Sequence, residues 1–335
     1  MNDVSIEENL IELALYIKEN FGGTLNQALK TVLPVKKSAK PAETKYILLK
    51  AERSVAEEAF EKFSADKRTP AKARVMRELL RENVIPSSII RDKLNVSAST
   101  LKSLEKEGLI EIDVREKLRD VLKLKGEQNY SIILDPTQQV CADSIWERYR
   151  EGDLRPSLLH GVTGSGKTEI YINLIERFIN EGRQAIMLIP EIALTYQTVL
   201  RFYKKFGEQI SVLNSRMTAA ERYDQVEKAR RGKIDIIIGP RSALFTPFKD
   251  PGIIIIDEEH EGTYRNENVP VYHAREVAIK RMQMNGGIVV LGSATPSVES
   301  YSRAEKGDYA LYSLKRRAKG ANLPEVETVD MRDEL

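Results

Sequence analysis

The 335-residue sequence contains a single cysteine, Cys141, so the chain can form neither an internal disulfide framework nor a zinc site of several thiolates. Long hydrophobic runs are also missing. Aliphatic runs such as Ile253 to Ile256 are far shorter than the roughly 18 residues that a membrane-spanning helix needs. The first ten residues are acidic, whereas a secretory signal peptide begins with basic residues. We therefore expect a cytoplasmic protein that makes no contact with a membrane.

An excess of one charge is missing too. The chain has 52 Lys and Arg against 50 Asp and Glu, a formal net charge of +2. Binding to a nucleic acid would therefore depend on local basic patches, because the bulk charge is nearly balanced. Hydrophobic residues make up 41% and charged residues 30%, which is typical of a globular protein.

The pattern along the chain predicts three parts, residues 1–37, 38–128 and 129–335. In the first part, apolar periodicity predicts helices over Glu8 to Asn20 and Leu25 to Thr31. This segment is too short to bury a core by itself. It is therefore either an appendage or the end of a domain that begins earlier.

The second part predicts two helices joined by a turn and followed by a strand. The predicted elements are a helix beginning at Thr69-Pro70, a helix Ser87 to Leu94, a turn at Asn95-Val96, a helix Ser99 to Glu107 and a strand Leu109 to Ile112. This order is that of a winged helix-turn-helix. Lys102, Ser103 and Lys106 would face outward, towards either a DNA groove or a partner protein.

The third part predicts an α/β fold with a doubly wound parallel sheet. Its strand candidates are continuous apolar runs, as strands buried on both faces require. They are Ser157 to His160, Ala185 to Ile189, Ile234 to Ile238, Ile253 to Ile256 and Gly287 to Leu291.

A phosphate-binding loop lies between the first of these strands and a predicted helix, Thr168 to Ile179. The segment from Gly161 to Thr168 reads GVTGSGKT and fits G-x-x-x-x-G-K-[ST]. Glycines let backbone N–H groups approach a phosphate, and Lys167 supplies a charge to the β- and γ-phosphates. Thr168 would offer its hydroxyl to Mg²⁺. The predicted nucleotide-binding residues of the loop are Gly161, Gly164, Ser165, Gly166, Lys167 and Thr168.

Three carboxylates and an imidazole, Asp257-Glu258-Glu259-His260, follow the strand that ends at Ile256. Solvated acids at a strand end are common, but a P-loop needs a carboxylate partner for its metal. We predict that Asp257 binds Mg²⁺ with Thr168 and that Glu258 acts as the general base. The predicted catalytic residues are therefore Lys167, Asp257 and Glu258.

Several long motifs resemble the first motor lobe of superfamily 2 helicases, and among these the PriA-type replication-restart helicases. They are LDPTQQ (134–139), LIPEIALTYQ (188–197), GPRSALFTPF (239–248), DEEHEGTYR (257–265), VYHAREVAI (271–279) and GSATPSVES (292–300). The resemblance implies a RecA-like ATP-binding lobe over 129–335, a winged helix over 38–128 and a remnant of a DNA 3′-end-binding domain over 1–37. It also implies that a second motor lobe would follow the last residue.

The resemblance implies further site residues. Gln138 would bind the adenine, with Gln139 as the alternative, and His260, Ser293 and Thr295 would couple nucleotide to DNA. The DNA-contacting residues would be Glu191, Thr195, Arg241, Ser242, Tyr264, Arg265, Tyr272, His273 and Arg275. Among these, Tyr264, Tyr272 and His273 would stack on bases.

The implied activity is ATP-dependent 3′-to-5′ DNA unwinding in replication restart and primosome assembly. ATP and Mg²⁺ are the expected cofactors, and no zinc is expected with one cysteine. Forked, branched and single-stranded DNA, single-stranded-DNA-binding protein and other primosome proteins are the expected partners, at the bacterial nucleoid. Because a second lobe would be missing, we expect weak ATP binding and slow hydrolysis. The alternatives are a nucleotide-controlled transcription regulator and a scaffold with an inactive P-loop.

Overall fold

The computed structural model describes residues 3–33, 42–66, 68–92, 94, 96–117 and 133–317. The chain divides into two compact units, one made of residues 1–39 with 120–335 and the other of residues 40–119. Among the described residues, no helix is both long and apolar enough to cross a membrane. Asn95, in the predicted turn, lies outside the described residues.

Two helices, α1 (Asp3–Phe21) and α2 (Leu25–Val32), begin the first unit. Both predicted helices are therefore present, and Thr24 caps the second by accepting a hydrogen bond from the N–H of Gln27. Leu13 and Ile17 of α1 are fully buried in one core with the α/β part of this unit. The assignment of these residues to a DNA 3′-end-binding domain stays a prediction.

The second unit combines helices with an antiparallel sheet. Its elements are β1 (Ala42–Leu49), α3 (Arg53–Ala65), α4 (Pro70–Arg81), β2 (Val84–Pro86), α5 (Ser87–Asp92), α6 (Ala98–Lys106) and β3 (Ile110–Lys117). The described strands pair in the order β2-β1-β3. The predicted order of helix, helix and strand is present over 87–117, whereas α3 was not predicted. The winged-helix assignment and the domain boundaries stay predictions.

The α/β part of the first unit contains one parallel sheet. Its helices are α7 (Pro136–Arg150), α8 (Lys167–Asn180), α9 (Tyr196–Phe206), α10 (Ala219–Arg230), α11 (Ala274–Asn285) and α12 (Val298–Glu305). Its strands are β4 (Ser157–Gly161), β5 (Gln184–Leu188), β6 (Ile210–Val212), β7 (Ile236–Gly239), β8 (Pro251–Asp257), β9 (Ile288–Ser293) and β10 (Ala310–Leu314). The strand order over the described residues is β10-β4-β9-β8-β5-β7-β6, so the predicted α/β fold with a parallel sheet is confirmed.

Both faces of this sheet are buried, which explains the continuous apolar runs. In β8, Ile253 and Ile255 pack into one core, while Ile254 and Ile256 pack into the core on the other face. The strand order places β9 between β4, which precedes the P-loop, and β8, which ends in the carboxylates. Because the carboxyl ends of parallel strands lie at the same edge, this arrangement brings the two predicted site segments together.

Candidate nucleotide site and nucleic-acid groove

The P-loop is a tight turn between β4 and α8 that accepts no larger side chains at its glycines. Gly164 and Gly166 have φ values of +79° and +82°, which other residues rarely adopt. A Cβ atom at Gly161 would lie 2.5 Å from the Ser165 hydroxyl, and one at Gly166 would overlap the amide of Gln138. Glycine is therefore required at these positions for the loop backbone to follow this turn at the end of β4.

Polar groups in the P-loop match the needs of a triphosphate. The Ser165 hydroxyl is buried and has no hydrogen-bond partner among the described residues. Lys167 Nζ donates to the Gly161 carbonyl over 2.8 Å. Gly166 precedes α8 without a side-chain cap, so N–H groups of the first helical turn remain to bind an anion. An orphaned buried donor, a lysine and a helix N-terminus thus fit a phosphate chain.

Gln138 lies directly against the P-loop. Its Nε2 donates to the Ser165 carbonyl over 3.0 Å, and its Oε1 accepts from the Asp135 N–H over 2.9 Å. The side chain is only 3% exposed. Gln139, the alternative, instead donates to Asp143 within the same helix. The structure therefore places Gln138, and not its neighbour, against the P-loop.

The acidic end of β8 contacts the helix that follows the P-loop. Tyr171 of α8 donates to Asp257 Oδ1 over 3.0 Å. Burial, and then the negative charge of Glu258, raises the pKa of Asp257 to about 6, while the charge of Lys167 acts in the opposite direction. Glu258 has a φ of +46°, a conformation that turns the chain sharply after the strand. The chain therefore turns directly after Asp257, and the two carboxylates remain close enough for the charge of Glu258 to act on Asp257.

The three predicted coupling residues form one hydrogen-bonded group. His260 Nδ1 lies 2.7 Å from Ser293 Oγ and 3.7 Å from Glu258 Oε2. The Thr295 N–H donates to Ser293 Oγ over 3.0 Å, and its hydroxyl lies 3.5 Å from His260 Nε2. The end of β9 therefore contacts the carboxylates through one imidazole.

Three residues predicted to contact DNA are buried in this structure, and their contacts with DNA stay predictions. Tyr264 and Tyr272 are 1% and 3% exposed, and burial raises the pKa of both phenols. The Tyr264 hydroxyl lies 3.0 and 2.6 Å from the carbonyl oxygens of Leu188 and Asp257. Arg275, 3% exposed, is surrounded by carboxylates and hydroxyls of its own unit. Each of these side chains would have to leave its present partners to stack on a base or to reach a phosphate.

A groove of about 830 Å³ runs along the loops that follow β5, β7 and β8. Five predicted DNA-contacting residues line it, namely Glu191, Arg241, Ser242, Arg265 and the largely buried Tyr264. Their present partners lie within the protein. Glu191 accepts from Ser215, and Arg241 donates to the carbonyl oxygens of Thr263 and Arg265. Arg241 thus fixes the segment between Glu261 and His273, which we call the groove loop.

The two remaining predicted DNA contacts, Thr195 and His273, cap helices. Thr195 accepts from the N–H of Thr198 at the start of α9, and His273 accepts from the N–H of Arg275 at the start of α11. Sequence reasoning missed two exposed side chains in the same region, Ile192 at 89% and Tyr196 at 65%. Ile192 lies in the largely apolar segment after β5 and Tyr196 is the first residue of α9, so the sequence pattern gave no signal that their side chains are exposed.

The fold and the site together define a P-loop NTPase whose carboxylates follow a central strand. Residues 135–304 match the model of the DEAD/DEAH box helicase family, about half of the chain, so the chain belongs to this family. DEAD/DEAH box membership implies the use of ATP and Mg²⁺.

Curated relatives of the chain are replication restart proteins PriA. The chain is 45% identical over 252 residues to the protein from Bacillus subtilis (strain 168), and the matched residues make up 75% of this chain and 31% of the relative. It is 34% identical over 341 residues to the protein from Chlamydia pneumoniae, which covers 98% of this chain and 44% of the relative. The chain therefore spans less than half the length of these relatives. The similarity to PriA-type helicases that the motifs indicated is confirmed.

Proposed function

We propose that this chain forms the ATP-binding part of a DNA helicase that restarts replication. The observation that carries the proposal is the P-loop with its orphaned Ser165 hydroxyl, lying one strand away from Asp257 and Glu258. The replication restart relatives support the choice of DNA as the nucleic acid.

Residues around the P-loop would share the binding of Mg-ATP. Lys167 would exchange the Gly161 carbonyl for the β- and γ-phosphates, and the first turn of α8 would bind the same oxygens. Thr168 and Asp257 would hold Mg²⁺, which neutralises phosphate charge. Gln138 would pair with the adenine N6–H and N7 by giving up one of its two present hydrogen bonds.

Glu258 would orient and deprotonate the attacking water. His260 would link the Glu258 carboxylate to Ser293. We expect slow hydrolysis by this chain alone, because unwinding requires a nucleotide-driven conformational cycle and the chain spans less than half of its relatives. A turnover with single-stranded DNA of roughly 1–100 per second, the range of ordinary phosphoryl transfer, would contradict this expectation.

The groove would bind one DNA strand. Arg265 and Arg241 supply positive charge, and Ile192 adds an exposed apolar surface to the groove. The ring of Tyr196, which is exposed four residues further along the chain, can stack on a base. By similarity to PriA-type helicases we propose 3′-to-5′ translocation, action at forked DNA in the cytoplasm at the nucleoid, and assembly with single-stranded-DNA-binding protein and primosome proteins.

Replacing Lys167 with alanine is expected to weaken Mg-ATP binding about 10- to 100-fold. A hydrogen bond to a charged group contributes about 1.5–3 kcal/mol, and about 1.4 kcal/mol is a tenfold change in affinity. Titration with a fluorescent ATP analogue measures the dissociation constant. The matched control is Lys249→Ala, because Lys249 is exposed and precedes the start of β8, at the end of the strand opposite to Asp257. Equal affinities for Lys167→Ala and the control would contradict nucleotide binding at the P-loop.

Forked DNA is expected to bind more tightly than a linear duplex of the same length and composition. The physical reason is that a fork exposes the unpaired bases and flexible backbone that a groove with stacking surfaces recognises. Fluorescence anisotropy with both labelled DNAs at one salt concentration gives the ratio. A transcription regulator would instead prefer one duplex sequence, and that outcome would contradict the helicase assignment.

A further inference from the structure

Glu259 is the most buried carboxylate of the acidic segment, and neither nucleotide binding nor hydrolysis as described above uses it. Its side chain is 1% exposed, and its backbone N–H donates to the Gly292 carbonyl over 3.0 Å. Its carboxylate accepts from the Ser297 N–H over 2.7 Å and from the hydroxyls of Ser297 and Ser300 over 3.2 and 2.8 Å. Glu259 therefore joins the acidic segment to the turn that begins α12.

Arg275 approaches the same carboxylate from the opposite side. Its Nη1 lies 3.4 Å from Glu259 Oε2 and donates to Ser300 Oγ over 2.8 Å. Its other nitrogens pair with Glu276 at 3.0 Å and with Glu299 at 2.6 Å. A guanidinium with five donors in one plane suits this arrangement, whereas a lysine ammonium does not.

The position of Arg275 in the chain connects this cluster with the groove. Arg275 lies in the first turn of α11, directly after the groove loop, and a backbone bridge joins Arg265 to His273 across the base of that loop. Glu259, at the other end of the pair, directly follows Glu258. A displacement of the groove loop would therefore act on the catalytic carboxylate through one buried ion pair.

We propose that Glu259 and Arg275 are positioning residues that couple strand binding in the groove to the placement of the acidic segment, which carries both Asp257 and Glu258. The proposal rests on the proposed function, because it needs both a nucleotide site and a DNA site. Allosteric coupling is reciprocal, so bound DNA changes nucleotide affinity by the same factor as nucleotide changes DNA affinity.

The test compares the dissociation constant of fluorescent oligothymidylate with and without Mg²⁺ and a non-hydrolysable ATP analogue, using the full chain. The unmodified protein is expected to show a ratio of about five or more, the lower end of usual allosteric coupling. Glu259→Gln is expected to bring the ratio close to one while each ligand alone binds as before. A purely structural role would instead change both separate affinities together with the melting temperature.

Ser300→Ala is a milder second variant, because it removes the hydroxyl that bridges Arg275 and Glu259 without leaving an unpaired charge. It keeps the test decisive if Glu259→Gln does not fold. Glu299→Gln is the matched control. It removes a carboxylate partner of Arg275 that is 74% exposed and that is not part of the acidic segment.

A lowered ratio in Ser300→Ala with an unchanged ratio in Glu299→Gln would support the coupling. An unchanged ratio in Ser300→Ala, or a ratio of one in the unmodified protein, would overturn it while leaving the proposed function intact. Failure of the unmodified protein to bind the ATP analogue would contradict the proposed function itself.

Discussion

Replacement of Glu258 with glutamine is expected to lower the rate of ATP hydrolysis by about 10²- to 10⁴-fold, the contribution of a positioned general base. Glutamine keeps the size of the side chain but cannot accept the proton of the attacking water. Affinity for Mg-ATP should be unchanged, because Asp257 and Lys167 would still hold the metal and the phosphates. A loss confined to turnover indicates an interaction made only in the transition state.

The surroundings of Glu258 suit the proposed general base better than those of Asp257 or Glu259. Its φ of +46° places it in the sharp turn after the strand, and its carboxylate lies 3.7 Å from His260 Nδ1. Glu259 is already saturated with hydrogen bonds from Ser297, Ser300 and Arg275. Only Glu258 combines partial exposure with a link to the coupling residues.

Single-turnover hydrolysis with protein in excess over labelled ATP is the appropriate measurement, since slow turnover is expected. Glu305→Gln, an exposed glutamate at the end of α12, serves as the control for loss of one negative charge. If Glu258→Gln hydrolysed ATP as fast as the control, another group would have to activate the water. A parallel loss of nucleotide affinity would place Glu258 in binding instead of hydrolysis.

The nucleotide site was predictable from the sequence because its residues are contiguous and its elements are strongly patterned. The P-loop glycines, Lys167 and Asp257 each follow a buried apolar strand, and parallel strands must end at a common edge. The two strands of the parallel sheet that were not predicted lack this pattern. β6 has only three residues, and β10 lies at the sheet edge with exposed residues between its buried ones.

The residues that line the groove were less predictable because side-chain direction in a loop depends on tertiary packing. The sequence does not distinguish an exposed aromatic side chain from a buried one. Tyr264 and Tyr272 therefore suggested stacking on bases, although both are buried. Arg275 has a local signal, since Glu276 follows it directly and pairs with it. For Arg317 the sequence gives no such local signal, but the pairing of β10 with β4 brings its side chain next to Gly164 of the P-loop.

Replacement of Gly292 with alanine is expected to lower the free energy of unfolding by about 3 kcal/mol, the upper end of the usual cost of overpacking. Gly292 lies in β9 between β4 and β8, and its added Cβ would overlap the hydroxyl of Tyr171 and lie 2.8 Å from Tyr171 Cζ. Tyr171 is fully buried and cannot move into solvent. The change would also displace the donor that binds Asp257.

Thermal unfolding measures this effect, expected as a fall in melting temperature of about 6–12 °C at about 2–4 °C per kcal/mol. Gly262→Ala is the matched control, because no atom lies within 4 Å of its added Cβ and its φ is not positive.

The double variant Tyr171→Phe with Gly292→Ala separates the steric cause from others. Removing the phenol oxygen removes the most severe overlap and leaves only the 2.8 Å approach to Cζ, so the double variant should be more stable than the sum of the two single losses implies. Strict additivity would show that the Gly292 substitution acts elsewhere than on Tyr171. Recovery of stability would instead show that glycine is required here because the tyrosine that positions the metal-binding carboxylate occupies the space of a side chain.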